Sequence, residues 1–423
     1  MYINGFLYFI SCIFVMITHS AMLINVYLHG NYESISKVII LASAVLVLDV
    51  AWFLVMQLFR QRSFVIDFLL ILIINMSVIF QSCFSGGVNL SVKHYITCMI
   101  SLAVSKVAFV LCRNHKWLQM QKKYVYIGIG VLMLIILTLT GSRSMWIEIG
   151  ESFSIQPSEF MKPLFVLACA TSVAEQQNKK QIANFFVVYE NFALYGLILI
   201  ICLLQWWCRD LGSLPTFMGI FAVGFFARIC YPKAKFSKTT LIKAGIVLLI
   251  AVIIALRFAP EYVQARLHTD IWNDRSGNGW QQSHALIAIA DGGWFGKGAG
   301  YGNLHEVFAY ENDIVFATIS EEWGLIFAVM VTFTIVMMVA VPLINPPRSY
   351  YHAIMSAGIC AYFIMQMSLN IFGSCNLIPF TGVTIPFISA GGSSMIASGL
   401  MAGMLMAGQS PEMTNPPVRR YAQ

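Results

Sequence analysis

The sequence predicts an all-α polytopic membrane protein of about twelve transmembrane helices with one long extracytoplasmic loop. Three observations predict it. Hydrophobic residues make up 58% of the chain and charged residues 11%, where soluble globular chains carry about 25% charged residues. Apolar runs of about twenty residues, the length that crosses a bilayer as a helix, recur from end to end. Lysine and arginine gather in alternate connections between those runs, as expected when basic loops stay cytoplasmic. No polar segment is long enough to form a soluble domain.

Taken in order, the spans fall near 5–28, 38–59, 64–82, 94–112, 124–140, 159–175, 192–208, 213–229, 241–257, 314–342, 351–373 and 384–408. The first has no basic residue before it and no small-residue cleavage site after it, which favours an uncleaved span over a signal peptide. The sixth is interrupted at its start by Ser158, Glu159 and Lys162. The basic clusters are Arg60/Arg62, Arg113/Lys116/Lys122/Lys123, Lys179/Lys180, Arg228/Lys233/Lys235/Lys238, Arg348 and Arg419/Arg420. All fall on one side if both termini are cytoplasmic, so the net charge of +7 belongs to topology and no nucleic-acid partner is expected. The ten cysteines are scattered without paired or metal-ligand spacing and read as small apolar side chains.

This orientation puts the connection 258–313 outside, far longer than the usual connection of about 4–6 residues. It carries Trp272, Trp280, Trp294, Asp270, Asp274 and Asp291. Its apolar stretch 285–290 argues for packing on the membrane face rather than disorder. The glycine run from Gly292 to Gly300 superficially resembles a phosphate cradle. Its spacing is wrong for a P-loop, although backbone N–H groups there are donors that a pyrophosphate would accept.

Ionisable residues inside spans are costly and mark function or internal pairing. Glu159 and Lys162, three apart, share a helix face and suit either an orienting ion pair or a substrate role. Asp313 opens a span, a position that the helix dipole favours for an acid. Glu321 and Glu322 lie a third of the way down that span and require a water-filled cavity or buried hydrogen bonds. Asp49, Asp67 and Lys106 lie away from the long loop and read as structural, and the histidines show no ligand spacing.

Four stretches in order resemble the SEDS family (shape, elongation, division and sporulation; FtsW, RodA and SpoVE types). They are Gly141-Ser-Arg-Ser-Met-Trp146 through Gln156-Pro-Ser-Glu159-Phe-Met-Lys162, and Gln205 through Asp210-Leu-Gly212. Next comes Gly279-Trp-Gln281 through the glycine run to Asp313 and Glu321-Glu322-Trp-Gly324, and last Asn370 through Pro379-Phe-Thr-Gly382, Pro386 and Gly391-Gly392-Ser393-Ser394. The likeness covers 64–408 as a ten-helix core, leaving 1–63 as two added N-terminal helices and 409–423 as a cytoplasmic tail.

The resemblance implies a peptidoglycan glycosyltransferase of a bacterial cytoplasmic membrane. Such an enzyme joins lipid II into glycan strands at the outer face, in elongation, division or sporulation, beside a class B penicillin-binding protein and among membrane lipids. It implies Asp313 as the catalytic base. Lys162, Glu159, Arg266, Lys297, Arg209, Asp210, Gln281, Ser393 and Ser394 are implied to contact substrate, with Arg143 a further cation candidate. A divalent cation is an expected cofactor for the pyrophosphate leaving group, with no ligand set assigned. Alternatives are a flippase for lipid II or another polyprenyl-linked substrate, and a non-catalytic scaffold for a penicillin-binding protein. The sequence departs from the family at Met145-Trp146, with Arg143 displaced, and at Arg209, His284, Glu311-Asn312 and Ala390.

Overall fold

A computed structural model of the protein describes residues 5–59, 61, 63–139, 145–149, 153–174, 179–182, 185–210, 212–229, 246, 257, 264, 270–273 and 279–411. The expected ninth span, 241–257, falls almost entirely outside these residues, as do Arg60, Arg62, Asp274, Arg419 and Arg420.

The chain opens on an antiparallel pair, α1 (Gly5–His29) and α2 (Ile35–Leu58), which packs on α3 (Val65–Gln81). Polar groups join the three inside the bundle. His19 Nδ1 lies 2.9 Å from Asp49 Oδ2, and Asn75 Nδ2 donates to Asp49 Oδ1 at 3.0 Å. Asp67 pairs with Lys106 of α4 (Val92–Cys112), whose ammonium also stands 4.6 Å from the centre of the Trp52 ring. Unpaired charges would not tolerate this environment. The three residues read as structural thus join helices.

After the short α5 (His115–Met120) come α6 (Lys122–Leu139) and a hairpin of β1 (Ile147–Ile149) and β2 (Phe153–Ile155), paired Ile147 to Ile155. The hairpin leads into α7 (Pro157–Ala174). A second hairpin, β3 (Lys179–Ile182) and β4 (Phe185–Val188), precedes α8 (Tyr189–Trp207) and α9 (Leu214–Ile229). The long connection contributes α10 (Trp280–Gly292), and the chain closes with α11 (Val315–Trp323), α12 (Leu325–Ile344), α13 (Tyr350–Ser374) and α14 (Gly392–Gln409).

Among the described residues six helices (α1, α2, α4, α6, α12 and α13) are long and apolar enough to cross a bilayer. The protein is therefore a multi-pass membrane protein. The interior is built by α7, α13 and α14, which pack on one another. α14 lies closely along α4 because Gly399 and Gly403, four apart, remove side chains from the contact. A Cβ on Gly403 would stand 2.0 Å from the Ser105 carbonyl oxygen. Close backbone approach of this kind drives helix association where lipid provides no hydrophobic force.

Two expected spans are corrected. The run 314–342 breaks at Gly324, whose φ of +87° suits glycine, leaving α11 wholly buried and only α12 long enough to span. The run 384–408 starts its helix late, at Gly392, because Pro386 and the glycine pair before it favour an irregular lead-in. The apolar stretch 285–290 belongs to α10 and packs on α11, with Ala285 and Ala288 buried, so it is ordered rather than a loose loop.

Candidate active site

Pro157 starts α7, where its fixed φ and missing N–H suit a first turn. One turn in, Lys162 Nζ meets Glu159 Oε1 at 2.5 Å, with Lys162 fully buried and Glu159 nearly so. Each ion is tolerated there because the other compensates it. Just before the helix, the Gln156 N–H donates to Ser393 Oγ at 3.0 Å and its amide Nε2 donates to Asp210 Oδ2 at 3.2 Å. The Ser213 hydroxyl reaches Asp210 Oδ2 (3.1 Å) and Gln205 Oε1 (2.8 Å), and Ser394 Oγ lies 2.6 Å from Thr384 Oγ1. The first, second and fourth sequence stretches are thus tied together by hydrogen bonds.

The third delivers Asp313, held by its backbone ahead of α11. Its N–H donates to the Ala309 carbonyl at 2.8 Å, and its own carbonyl accepts from Asn370 Nδ2 at 2.8 Å. Asn370 also reaches the carbonyl of Val383 at 2.7 Å. Gln81 Nε2 donates to the carbonyls of Glu311 (3.1 Å) and Ile388 (2.9 Å), and the Ser389 hydroxyl donates to that of Asn312 (2.8 Å). The backbone is fixed on both sides of the acid. Its half-buried carboxyl, by contrast, accepts no hydrogen bond from any described residue, and burial pushes it up from 3.8 to about 7. Gly382, at φ +64°, faces it: a Cβ there would stand 3.2 Å from Asp313 Oδ2.

Asp313, Glu159, Lys162, Asp210, Ser393 and Ser394 line one cavity of about 260 Å³. Trp146, Gln156, Ser213, Phe308, Asn312, Thr381 and Thr384 join them, none of them named from sequence as a substrate contact. All but Ser213 lie inside the four recognised stretches, although Phe308 is not among the residues that carry the third. Glu159 Oε2, Asn312 Oδ1 and Thr381 Oγ1 are buried without a partner among the described residues. Native interiors rarely leave such atoms unmatched, so the lining is suited to a polar guest.

Other candidates lie elsewhere. Lys297 does not line the cavity, because Glu321 (2.7 Å) and Asp291 (3.2 Å) hold its ammonium. Arg209 is exposed at φ +57° and is likewise absent from the lining. Gln281 donates to the Phe308 carbonyl at 2.7 Å, behind the lining rather than in it. Arg266 and Arg143 fall outside the described residues.

The glycine run faces carboxylates of the protein. The N–H groups of Asn303 and Leu304 both donate to Glu321 at 3.0 Å, and that of Gly300 donates to Glu322 Oε2 at 2.9 Å. Lys297 and Gly298 donate from their backbone to the carbonyls of Glu321 and Glu322, each at 2.9 Å. Both oxygens of Glu321 are thus satisfied, Glu322 is bonded through Oε2 alone among the described residues, and these amides are committed to the protein rather than turned to a pyrophosphate. A Cβ on Gly296 would stand 2.3 Å from the Glu322 carbonyl oxygen, so the run requires glycine for close approach.

A metal would find little ready-made: no cluster of three or more His, Cys, Asp or Glu suited to one occurs among the described residues. Of the lining carboxylates, Glu159 is paired with Lys162 and Asp210 accepts two hydrogen bonds, which leaves Asp313 open.

The family profile described as "Cell cycle protein", FtsW/RodA/SpoVE, matches residues 56–411. The chain belongs to this family. Among its relatives is stage V sporulation protein E of Bacillus subtilis, 31% identical over 278 residues, 63% of this chain and 71% of that protein. A probable peptidoglycan glycosyltransferase FtsW of Alcanivorax borkumensis is 31% identical over 271 residues, 62% of this chain and 67% of that one. The fold matches that of the family's Thermus thermophilus rod shape determining protein RodA, with a TM-score of 0.54 at 19% identity over 82% of this chain and 95% of RodA. A chain in a structure described as structural coordination of polymerization and crosslinking by a peptidoglycan synthase complex gives a TM-score of 0.61 at 20% identity, over 82% of this chain and 96% of that one. The FtsW/RodA/SpoVE match leaves α1 and nearly all of α2 outside it.

Proposed function

We propose that this protein is a peptidoglycan glycosyltransferase that polymerises lipid II into glycan strands, with Asp313 as general base. The observation that carries this reading is the convergence of four distant stretches on one cavity, where a half-buried carboxyl stands without a partner among the described residues. Relatives that carry the name peptidoglycan glycosyltransferase support the reaction class.

In the reaction, an acceptor sugar hydroxyl attacks the anomeric carbon of the donor. The hydroxyl proton passes to the Asp313 carboxylate as the new glycosidic C–O bond forms. The old bond from that carbon to the pyrophosphate breaks, and the polyprenyl pyrophosphate leaves with the electron pair. Lys162 supplies positive charge in the lining, tempered by Glu159, while Thr381, Thr384, Ser393 and Ser394 offer hydroxyl groups to sugar or phosphate oxygens. A divalent cation would be held through Asp210 together with substrate phosphates, the usual manner for Mg²⁺, and would neutralise the departing charge.

On this reading the cavity opens toward the outer face of a bacterial cytoplasmic membrane, and a class B penicillin-binding protein cross-links the product. The complex in which a similar fold occurs supports that pairing. The test is polymer formation from purified lipid II, with and without a class B penicillin-binding protein. Asp313→Asn should abolish polymer while leaving expression and partner binding intact. Normal polymerisation by that variant would falsify the assignment, and lipid II transfer across liposomes without polymer would favour a flippase.

A further inference from the structure

At its tip, the added hairpin of α1 and α2 is hydrogen-bonded to two loops of the core through Asn31. Asn31, in the turn between the two helices, donates its N–H to the Ala299 carbonyl at 2.8 Å and accepts at its own carbonyl from the Val88 N–H at 2.8 Å. Its side-chain Nδ2 lies 3.0 Å from the Gly86 carbonyl and 3.2 Å from that of Gly300. One side chain and its backbone therefore join the glycine run to the connection between α3 and α4. The junction is tight: a Cβ on Gly300 would stand 3.0 Å from Gly87 Cα, and one on Gly298 would stand 2.9 Å from the His29 carbonyl.

Both loops held by Asn31 lead to Asp313. Gly300 and Gly298 are bonded to Glu322, which sits on α11, the nine-residue helix that begins directly after Asp313 and Ile314. The connection carrying Gly86 and Val88 follows α3, whose last residue, Gln81, holds the Glu311 carbonyl two residues before the acid. The hairpin cannot rock freely about its tip, since His19, Asp49 and Asn75 anchor it deeper in the bundle.

We infer that Asn31 is a positioning residue: the N-terminal hairpin acts through it as a brace that keeps the glycine run and α11 in the register that aims Asp313 at the cavity. Asn31 does not line the cavity, so its loss acts on turnover rather than on substrate affinity. The inference rests on the polymerase reading.

The test uses the full chain in nanodiscs with two readouts, lipid II polymerisation kinetics and amide hydrogen exchange over residues 298–304. Asn31→Ala should lower kcat about tenfold with KM unchanged, because small misplacements of a reacting group are costly. It should also speed exchange in that segment several-fold. Asn31→Asp, the same size without the side-chain N–H donors, should behave alike, and it replaces the alanine variant if that fails to fold. Glu33→Ala, in the same turn but exposed and bonded only to Lys37 among the described residues, should leave both readouts unchanged. An unchanged kcat overturns the inference whatever the exchange shows, and so does a slower kcat with unchanged exchange. If the wild type makes no polymer, the polymerase reading fails and positioning falls with it, whereas the exchange data still decide whether the brace exists.

Discussion

Acidification separates an Asp313 that acts as a base from one that merely caps a helix. With its carboxyl pushed to about 7 by burial, the ionised fraction is about one half at pH 7, about a tenth at pH 6 and about a hundredth at pH 5. A base must be ionised to accept the acceptor's proton, so kcat/KM should fall about tenfold per unit below pH 7 and level off above about pH 8. A carboxyl at its ordinary value near 3.8 would give a flat profile over that range. The assay is the initial rate of lipid II consumption at subsaturating substrate from about pH 5.5 to 8.5, corrected by the Asp313→Asn baseline. A flat wild-type profile refutes the reasoning.

Stability should move the opposite way. Burial raises the native value above the unfolded one, so between about pH 4 and pH 7 the native state binds the extra proton and loses relative stability as pH rises. The shift from 3.8 to about 7 sets a ceiling of about 4 kcal/mol at roughly 1.4 kcal/mol per unit, lowered by solvent reaching the half-buried group. Asp313→Asn should flatten this part of the melting-temperature profile.

Two further outcomes are expected. Glu159→Gln strands the fully buried Lys162 ammonium and should cost about 3–5 kcal/mol of stability in detergent melts, while the double change with Lys162→Met should cost less; equal losses would show that the pair is not coupled. Gly403→Ala drives a Cβ to 2.0 Å from the Ser105 carbonyl oxygen and should destabilise by about 1–3 kcal/mol, whereas Gly130→Ala, with open space around it, should be neutral. Matching melts for these two would remove the argument for close packing of α4 and α14.

The membrane class, most span positions, the family and the identity of Asp313, Glu159 and Lys162 as the charges to watch were all legible in the residues. These are one-dimensional properties: a span must supply its own apolar length, and a charge in lipid is conspicuous wherever it stands. Convergence was not legible. Lys297 looked like a free cation until the fold placed it between Asp291 and Glu321, and the glycine run looked like an anion cradle until the Gly300 amide met the Glu322 carboxylate and those of Lys297 and Gly298 met backbone carbonyls of α11. Asn31 and Gln81 gave no signal, because a polar side chain in a loop or helix reads alike whether it faces water or holds another carbonyl. Only the tertiary structure decided which donors were already taken and which carboxyl was left open. Hydrogen-bond partners lying hundreds of residues away are chosen by packing, which no local pattern encodes.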